Sequence, residues 1–410
     1  MVMREIRFLS PNYRKFWTAH AISSLGNGIR LSALPLLIAT LTRDPLLVAG
    51  LSTANFLPWL LFGLTFGALV DRLDRRLAMA TIDICRMLVM IVLGLLVFTR
   101  SVDHASLYLI AFGLGVGEII FGNAAQALIP ATVSKQDLAS ANGFLYAAEV
   151  VTNKFIGPAV GGLLFALAAW SPFVVDAASF GFSAALIFFI RGQFRPRHSH
   201  ATSVHSLLFE IGEALKWLWG HRLLRTFALI LGAINLLQMA WFAIFVLYAQ
   251  EILHLNDGAY GFLLAAGSIG SFVGSISAWR ISQRLGISQS LVLVLLTLAL
   301  TCLAMGLSSQ TIVVGAVWIA NSFAEMVWVV ITVSLRQAIV PDRLLGRVTS
   351  VYRLLGWGAI PLGAVLGGFL GRAVGLRSPF FVSALSFLTI SLVAIPVLSG
   401  ATKVVQEHSP

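Results

Sequence analysis

Nine ionisable residues interrupt stretches that are otherwise apolar: Arg30, Asp83, Arg86, Glu118, Glu149, Lys154, Asp176, Glu325 and Arg353. Placing a charge at the centre of a bilayer costs roughly 2.5–3.5 kcal/mol on insertion scales, so charges in such stretches must face an interior or one another. A carboxyl held away from water prefers its neutral form and can carry a proton, which it gives up when water or a cation reaches it. Glu118 and Glu325 fall near the middle of their apolar runs and are the first candidates for that role. Arg30 cannot shed its charge and needs a carboxylate or an anionic ligand, with Glu149 and Glu118 as candidate partners. Glu149 and Asn153 are four apart on one helix face, with Lys154 adjacent, and together they make a polar patch. Asn27 and Asn235 add amides at depth, while Asp83 and Arg86 have the three-residue spacing of a local ion pair. Asp176 and Arg353 lie nearer the ends of their runs and read as interface residues. The same charges can instead be internal ties that hold helices together, and the residues alone leave both readings open.

Other chemistries find little support. No HExxH, CxxC or GxSxG string occurs, and most of the eight histidines lie in loops or ends, so no catalytic residues are expected. Cys85 and Cys302 sit inside apolar runs with no metal-ligand spacing, so neither a metal nor a disulfide framework is expected. Gly113, Gly115 and Gly117 have no strand before them and no acidic ribose reader after them. The absence of a GK[ST] phosphate loop argues against an ATP-driven pump, and no cofactor is implied.

The elements that must position these residues follow from composition. With 58% hydrophobic and only 11% charged residues in a chain of 410, no aqueous surface can be built, and the outer surface must face hydrocarbon. The net charge of +11 comes from Lys and Arg gathered in short loops, which is an orientation pattern and not a nucleic-acid footprint. Runs long enough to cross a bilayer occupy 16–41, 46–70, 77–99, 105–129, 139–168, 171–190, 223–249, 258–282, 287–307, 311–336, 346–372 and 378–399. These predict an all-α integral membrane protein of twelve spans. If the first span starts in the cytoplasm, twenty basic residues fall on that side and four on the other, so both termini are expected to be cytoplasmic. The basic arm before the first run resembles a signal peptide, but the run is too long and is interrupted by Asn27 and Arg30.

The polar stretch 191–222 divides six spans from six and contains a short amphipathic helix near Leu207 to Trp219. It separates an N-terminal six-helix bundle, 1–190, from a C-terminal one, 223–410. Shifting one half onto the other by about 207 residues brings Glu118 onto Glu325 and Gly67 onto Gly274. At neighbouring offsets Gly157, Gly161 and Gly162 meet Gly363, Gly367 and Gly368, and Asn27 meets Asn235. Two pseudo-symmetric bundles of this kind place a binding cavity near the midplane. Trp59, Trp241, Phe242, Trp318, Trp328 and Trp357, with Met239 and Met326, are expected to line it for lipophilic compounds.

The segment Gly67-Ala-Leu-Val-Asp71-Arg72-Leu-Asp74-Arg75-Arg76 resembles the signature loop of the major facilitator superfamily. Together with Gln126-Ala-Leu-Ile-Pro130 and Leu138-Ala-Ser-Ala-Asn142, the layout is similar to the third drug:proton antiporter branch of that superfamily, which holds macrolide and multidrug exporters. Asp74 stands where the family usually has glycine. The resemblance implies that Gly67, Asp71, Arg72, Arg75 and Arg76 latch the cytoplasmic side, with Asp71 facing the eleventh helix near Gly346. On the residues alone, Asp71 can accept N–H bonds at a helix start and the arginines can pair with cytoplasmic carboxylates. Gly157, Pro158, Gly161 and Gly162 resemble the tail of the antiporter motif, whose upstream glycines are replaced here by Phe144 and Asn153. With Gly363, Gly367 and Gly368 they form small-residue stripes suited to close helix packing or hinging.

These observations point to a secondary active transporter of the inner membrane that acts as a monomer. It is expected to export lipophilic drugs or related small molecules in exchange for protons by alternating access. Export of a siderophore or other metabolite, proton-coupled uptake and a nontransporting membrane receptor are the alternatives. The partners expected are a small-molecule substrate, protons and the lipid bilayer, without nucleic acid.

Overall fold

The computed structural model describes residues 10–63, 66, 73–134, 136–192, 194 and 204–398, without the side chains of 204–211 and 342–343. Twelve helices long and apolar enough to span a membrane appear among them, as the hydrophobic runs require. We number them α1 (Pro11–Leu41), α2 (Pro45–Phe62), α3 (Arg75–Phe98), α4 (His104–Thr132), α5 (Leu138–Leu167) and α6 (Ser171–Phe188). After a connecting helix, Val204–Gly220, follow α7 (Arg222–Glu251), α8 (Asp257–Leu285), α9 (Ile287–Leu307), α10 (Thr311–Ile339), α11 (Leu344–Ala373) and α12 (Ser378–Leu398). Of the run read as 46–70 the described helix covers Pro45–Phe62, and Gly67, Asp71 and Arg72 lie outside the described residues.

Local chemistry sets several boundaries. Asp74 caps α3, its carboxylate accepting the N–H groups of Arg76 at 3.1 Å and Leu77 at 3.2 Å. The residue that departs from the family loop is therefore the one that starts the next helix. Asp103 caps α4 in a capping box with Ser106, whose N–H and hydroxyl hold its carboxyl below the usual carboxylate range. Gly286, with φ of 80°, makes the one-residue turn between α8 and α9, a conformation open to glycine at little cost.

Contacts divide the chain into two compact units. The first comprises 1–42, 57–202 and 255–265, and the second 43–56, 203–254 and 266–410. Within the first, α1 packs on α5 and α6, and α3 packs on α4 and α6. Within the second, α7 packs on α11 and α12, and α9 packs on α10 and α12. The same four pairings thus recur six helices later. One end of the first unit is filled by Tyr13, Phe16, Met79, Phe121, Leu128 and Ile187, and the Tyr13 hydroxyl donates to Ala141 O at 2.7 Å. α3 shows why charges sit in so apolar a helix: Ile84, Leu88, Val92 and Leu95 are exposed on one face, while Asp83, Arg86 and Met90 are buried on the other.

Small residues allow the closest approaches. Gly157 and Gly161 on α5 lie against the α1 backbone at Gly28 and Ile29, and Gly162 meets Gly261 of α8. In the second unit, Gly363 and Gly367 of α11 abut the carbonyls of Leu236 and Ala240, and Gly368 meets Leu46 and Ala49. A Cβ at Gly367 would overlap the Ala240 carbonyl oxygen, whereas one at Gly113 meets nothing within 4 Å. Gly367→Ala is therefore expected to cost about 1–3 kcal/mol of stability, as overpacking does. Gly113→Ala should be neutral or gain up to about 1 kcal/mol from helix propensity. Thermal unfolding of the two purified variants beside the parent checks the contrast, and equal midpoints would refute the packing assignment.

Candidate functional site: buried charges in the first unit

Arg30 on α1 donates to Asp176 Oδ2 on α6 at 3.1 Å and to Asn27 Oδ1 at 2.9 Å. Neither Glu149 nor Glu118 takes the role of partner. The reason lies in the packing of α1 on α6. Gly26 has no side chain, and a Cβ there would fall on Ser179 Oγ and Asp176 Oδ1, so its absence admits the carboxylate to the flank of α1. Asp176 is fully buried and no interface residue, and Ser179 sits beside it, its hydroxyl 2.7 Å from the Asp176 carbonyl and 3.4 Å from Oδ1. The Arg30 side chain is 7% exposed.

A second buried pair lies on α3. Arg86 approaches Asp83 at 3.5 Å, with side-chain exposures of 3% and 0%. The Arg86 guanidinium stands 5.3 Å from the ring centres of both Phe121 and Phe180, and Arg30 stands 5.7 Å from Phe180. One aromatic ring thus serves two cations. Gly117 on α4 gives Arg86 its space, since a Cβ there would lie 2.7 Å from Nε. Glu118, the next residue, is half-buried and within electrostatic reach of Arg86. Removing four charges from water costs several kcal/mol per ion, and an arrangement of two cations with two anions offsets part of that cost.

The polar patch on α5 has a local cause. Residues Val150–Ile156 form a π-helical segment in which the Gly157 N–H reaches back five residues to Thr152 O. Pro158 lacks the N–H that an α-helix would direct at the Lys154 carbonyl, so the wider turn loses nothing there. Ser32 of α1 donates to Pro158 O at 2.9 Å, and Gly28 lies against the Asn153 carbonyl. Asn153 is half-buried, Lys154 is exposed, and Glu149 lies within electrostatic reach of Lys154 and Glu118. This segment therefore rests on α1 two residues from Arg30.

Arg75 and Arg76 were expected to meet carboxylates. They donate instead to carbonyls, Ala127 O on α4 at 2.9 Å and Ile190 O just beyond α6 at 2.8 Å. The negative end of the helix dipole favours a cation near the last turns of a helix, where both arginines sit.

The second unit has a neutral counterpart. Gln238 donates to Asn321 Oδ1 at 2.6 Å, Asn321 donates to Thr301 Oγ1 at 2.8 Å, and Trp241 donates to Gln238 Oε1 at 2.9 Å. Offsets of 207–208 residues place Gln238 on Arg30 and Ser383 on Asp176, and the burial pattern of α9 places the buried Leu291 and Val294 on Asp83 and Arg86. The repeat keeps the positions and drops the charges. Asn235 and Glu325 are half-buried on α7 and α10. Trp241 and Trp328, expected on a cavity wall, are 1% exposed and form the core of this unit, Trp241 stacked 5.3 Å from Phe380. Phe242 and Trp318 stay partly exposed, 6.1 Å apart and stacked.

Twelve membrane-crossing helices, a helix pairing that recurs six helices later and charges buried among them define a duplicated multi-pass membrane protein. The chain matches the family described as transmembrane secretion effectors over residues 7–407 and belongs to it, within the major facilitator superfamily. It is 27% identical to the multidrug efflux pump Tap of Mycolicibacterium fortuitum over 379 residues, covering 90% of this chain and 91% of that one. It is also 27% identical to the putative bacilysin exporter BacE of Bacillus subtilis (strain 168) over 301 residues, covering 71% and 72%. A mutant of the nucleoside transporter NupG shares the fold with a TM-score of 0.75 at 12% identity, covering 95% of this chain and 99% of that one. A bacterial homologue of the iron transporter ferroportin does so at 0.74 and 16%, covering 95% and 98%.

Breaking a buried pair leaves an uncompensated charge and typically costs 3–5 kcal/mol, whereas neutral replacement of both partners can be harmless. Arg30→Gln and Asp176→Ser, introduced singly, are each expected to cost about that much. The double variant carries the residues that the repeat has at 238 and 383 and should recover most of the loss. Thermal midpoints of the four proteins form a double-mutant cycle, and additive losses would show that the two residues are not coupled.

Proposed function

We propose that this transporter exports lipophilic, cationic or neutral small molecules from the cytoplasm, driven by inward movement of protons and using alternating access. It works as a monomer in the inner membrane with both termini cytoplasmic. The observation that carries the reading is the likeness over nine-tenths of the chain to a protein named as a multidrug efflux pump. The basic loops support the orientation. Glu118 and Glu325, half-buried in α4 and α10, are the carboxyls that exchange protons or meet a cationic substrate, and Glu149, Arg30, Lys154, Asn27, Asn153 and Asn235 line the route. Gly67, Asp71, Arg72, Arg75 and Arg76 gate the cytoplasmic side, where Arg75 and Arg76 tie α3 to the ends of α4 and α6. Gly157, Pro158, Gly161, Gly162, Gly363, Gly367 and Gly368 are the packing and hinge points.

The energetics suffice. A membrane potential of 100 mV contributes about 2.3 kcal/mol per proton and one pH unit about 1.4, together enough for a gradient of several hundredfold. A natural-product substrate is the second reading, favoured by the relative named as a bacilysin exporter.

Flux of the lipophilic cationic dye rhodamine 6G in proteoliposomes tests the assignment. Outward transport by the parent should follow an imposed pH gradient, and Glu118→Gln or Glu325→Gln should abolish that dependence. Equal flux in all three proteins, indifferent to the gradient, would end the antiport reading.

A further inference from the structure

Asp83 stands apart from every other acid in the first unit. Its side chain is completely buried, and neither its contact with Arg86 nor that with the Ser183 hydroxyl reaches good hydrogen-bond geometry. The three guanidinium nitrogens of Arg86 are likewise short of well-formed hydrogen bonds. Arg86 is held by Phe121 and Phe180, at 3.5 Å from its own carboxylate, longer than the 2.7–2.9 Å of a tight charge-assisted bond. Buried ionic groups in a settled structure are paired and hydrogen-bonded. A pair this loose can change partners at little cost. The repeat, with Leu291 and Val294 at the corresponding buried positions, builds the same helix pairing without it.

We propose that Asp83 is a proton-exchange site inside the first unit, and that Arg86, Asp176 and Arg30 carry its protonation state to α1. A proton from water on the outer side adds to one Asp83 oxygen, forming the O–H bond and cancelling the charge that holds Arg86. Arg86 then turns to the other anions in its reach, Asp176 and Glu118. Sharing Asp176 weakens its bond to Arg30. α1 is thereby freed at the point where Gly28 rests on the π-helical segment of α5. Loss of the proton to cytoplasmic water restores the pairs. Facing this centre are Arg86 on the same helix, Glu118 on α4, Asp176, Ser179 and Ser183 on α6, and Arg30 on α1. His20 of α1 stacks on Phe121, the ring that also holds Arg86. Asp83 lies eight residues into α3, about 12 Å from the helix end that carries the basic loop.

The proposal rests on proton-coupled export, so its test separates the two. Asp83→Ser/Arg86→Leu removes both charges together, so that neither is left uncompensated in the interior. Rhodamine 6G is followed in proteoliposomes in two ways: exchange of labelled for unlabelled dye at equal pH, and net transport under an imposed gradient. A gradient of about one pH unit supports about tenfold accumulation per coupled proton in the parent. The double variant should retain exchange within about twofold of the parent, a difference well under 1 kcal/mol in barrier. It should also lose accumulation and lose the pH dependence of exchange, and Asp83→Asn should lose both in the same way. Accumulation by the double variant at the parental level would overturn the proposal and leave proton coupling standing. Loss of exchange together with accumulation would make the pair a structural tie and overturn it too. A parent that ignores the gradient would overturn both readings.

Discussion

A guanidinium buried among membrane helices keeps its charge whatever its surroundings, and the first unit is arranged around two of them. Arg30 and Arg86 cannot be neutralised, so each draws a carboxylate inward, Asp176 and Asp83. Each also requires a gap beside it, which Gly26 provides on the same helix as Arg30 and Gly117 on the helix facing Arg86. The shared Phe180 ring joins the two pairs, so α1, α3, α4 and α6 meet at one electrostatic centre and not merely along apolar seams. Separating α1 from α6 strands a charge, and moving α3 off α4 and α6 takes Arg86 from its rings, which makes the centre stiff while its pairing holds and responsive when it changes.

That centre adjoins the most irregular backbone in the unit. The π-helical segment of α5 exists because Pro158 cannot complete an α-helical turn, and it is pinned to α1 at Gly28 and by the Ser32 hydroxyl. A change at Arg30 is therefore felt at once by a helix whose hydrogen bonding is already shifted by one residue. The second unit repeats the helix pairings with an amide and hydroxyl ladder, Gln238 to Asn321 to Thr301, which holds the helices together without any titratable group.

Much of the fold was legible because the bilayer dictates it. Span count and the duplication follow from hydrophobic length and register, both visible in a linear chain. Partner choice was less so. Arg30 had several carboxylates within plausible reach, and the decision for Asp176 depends on which face of α1 meets α6. Gly26, one residue before Asn27, was the available clue, since a missing side chain beside a buried cation marks where an anion enters. The Asp83–Arg86 pair was readable because both residues share one helix, where spacing alone fixes distance. Trp241 and Trp328 misled because an aromatic ring suits a cavity wall and a packed core equally, and periodicity does not separate the two. Arg75 and Arg76 met carbonyls because helix ends offer negative potential that no acidic residue announces.

The equal numbers of cations and anions in the buried quartet have an electrical consequence. While all four are ionised, the membrane voltage exerts opposing forces on them that cancel, and reorienting the unit moves no net charge through the field. A single added proton leaves the quartet with one positive charge in excess, so that the voltage then does work on the helices themselves. The neutral ladder in the other unit offers the field no such handle, and any electrogenic step traced to these matched positions arises in the first six helices.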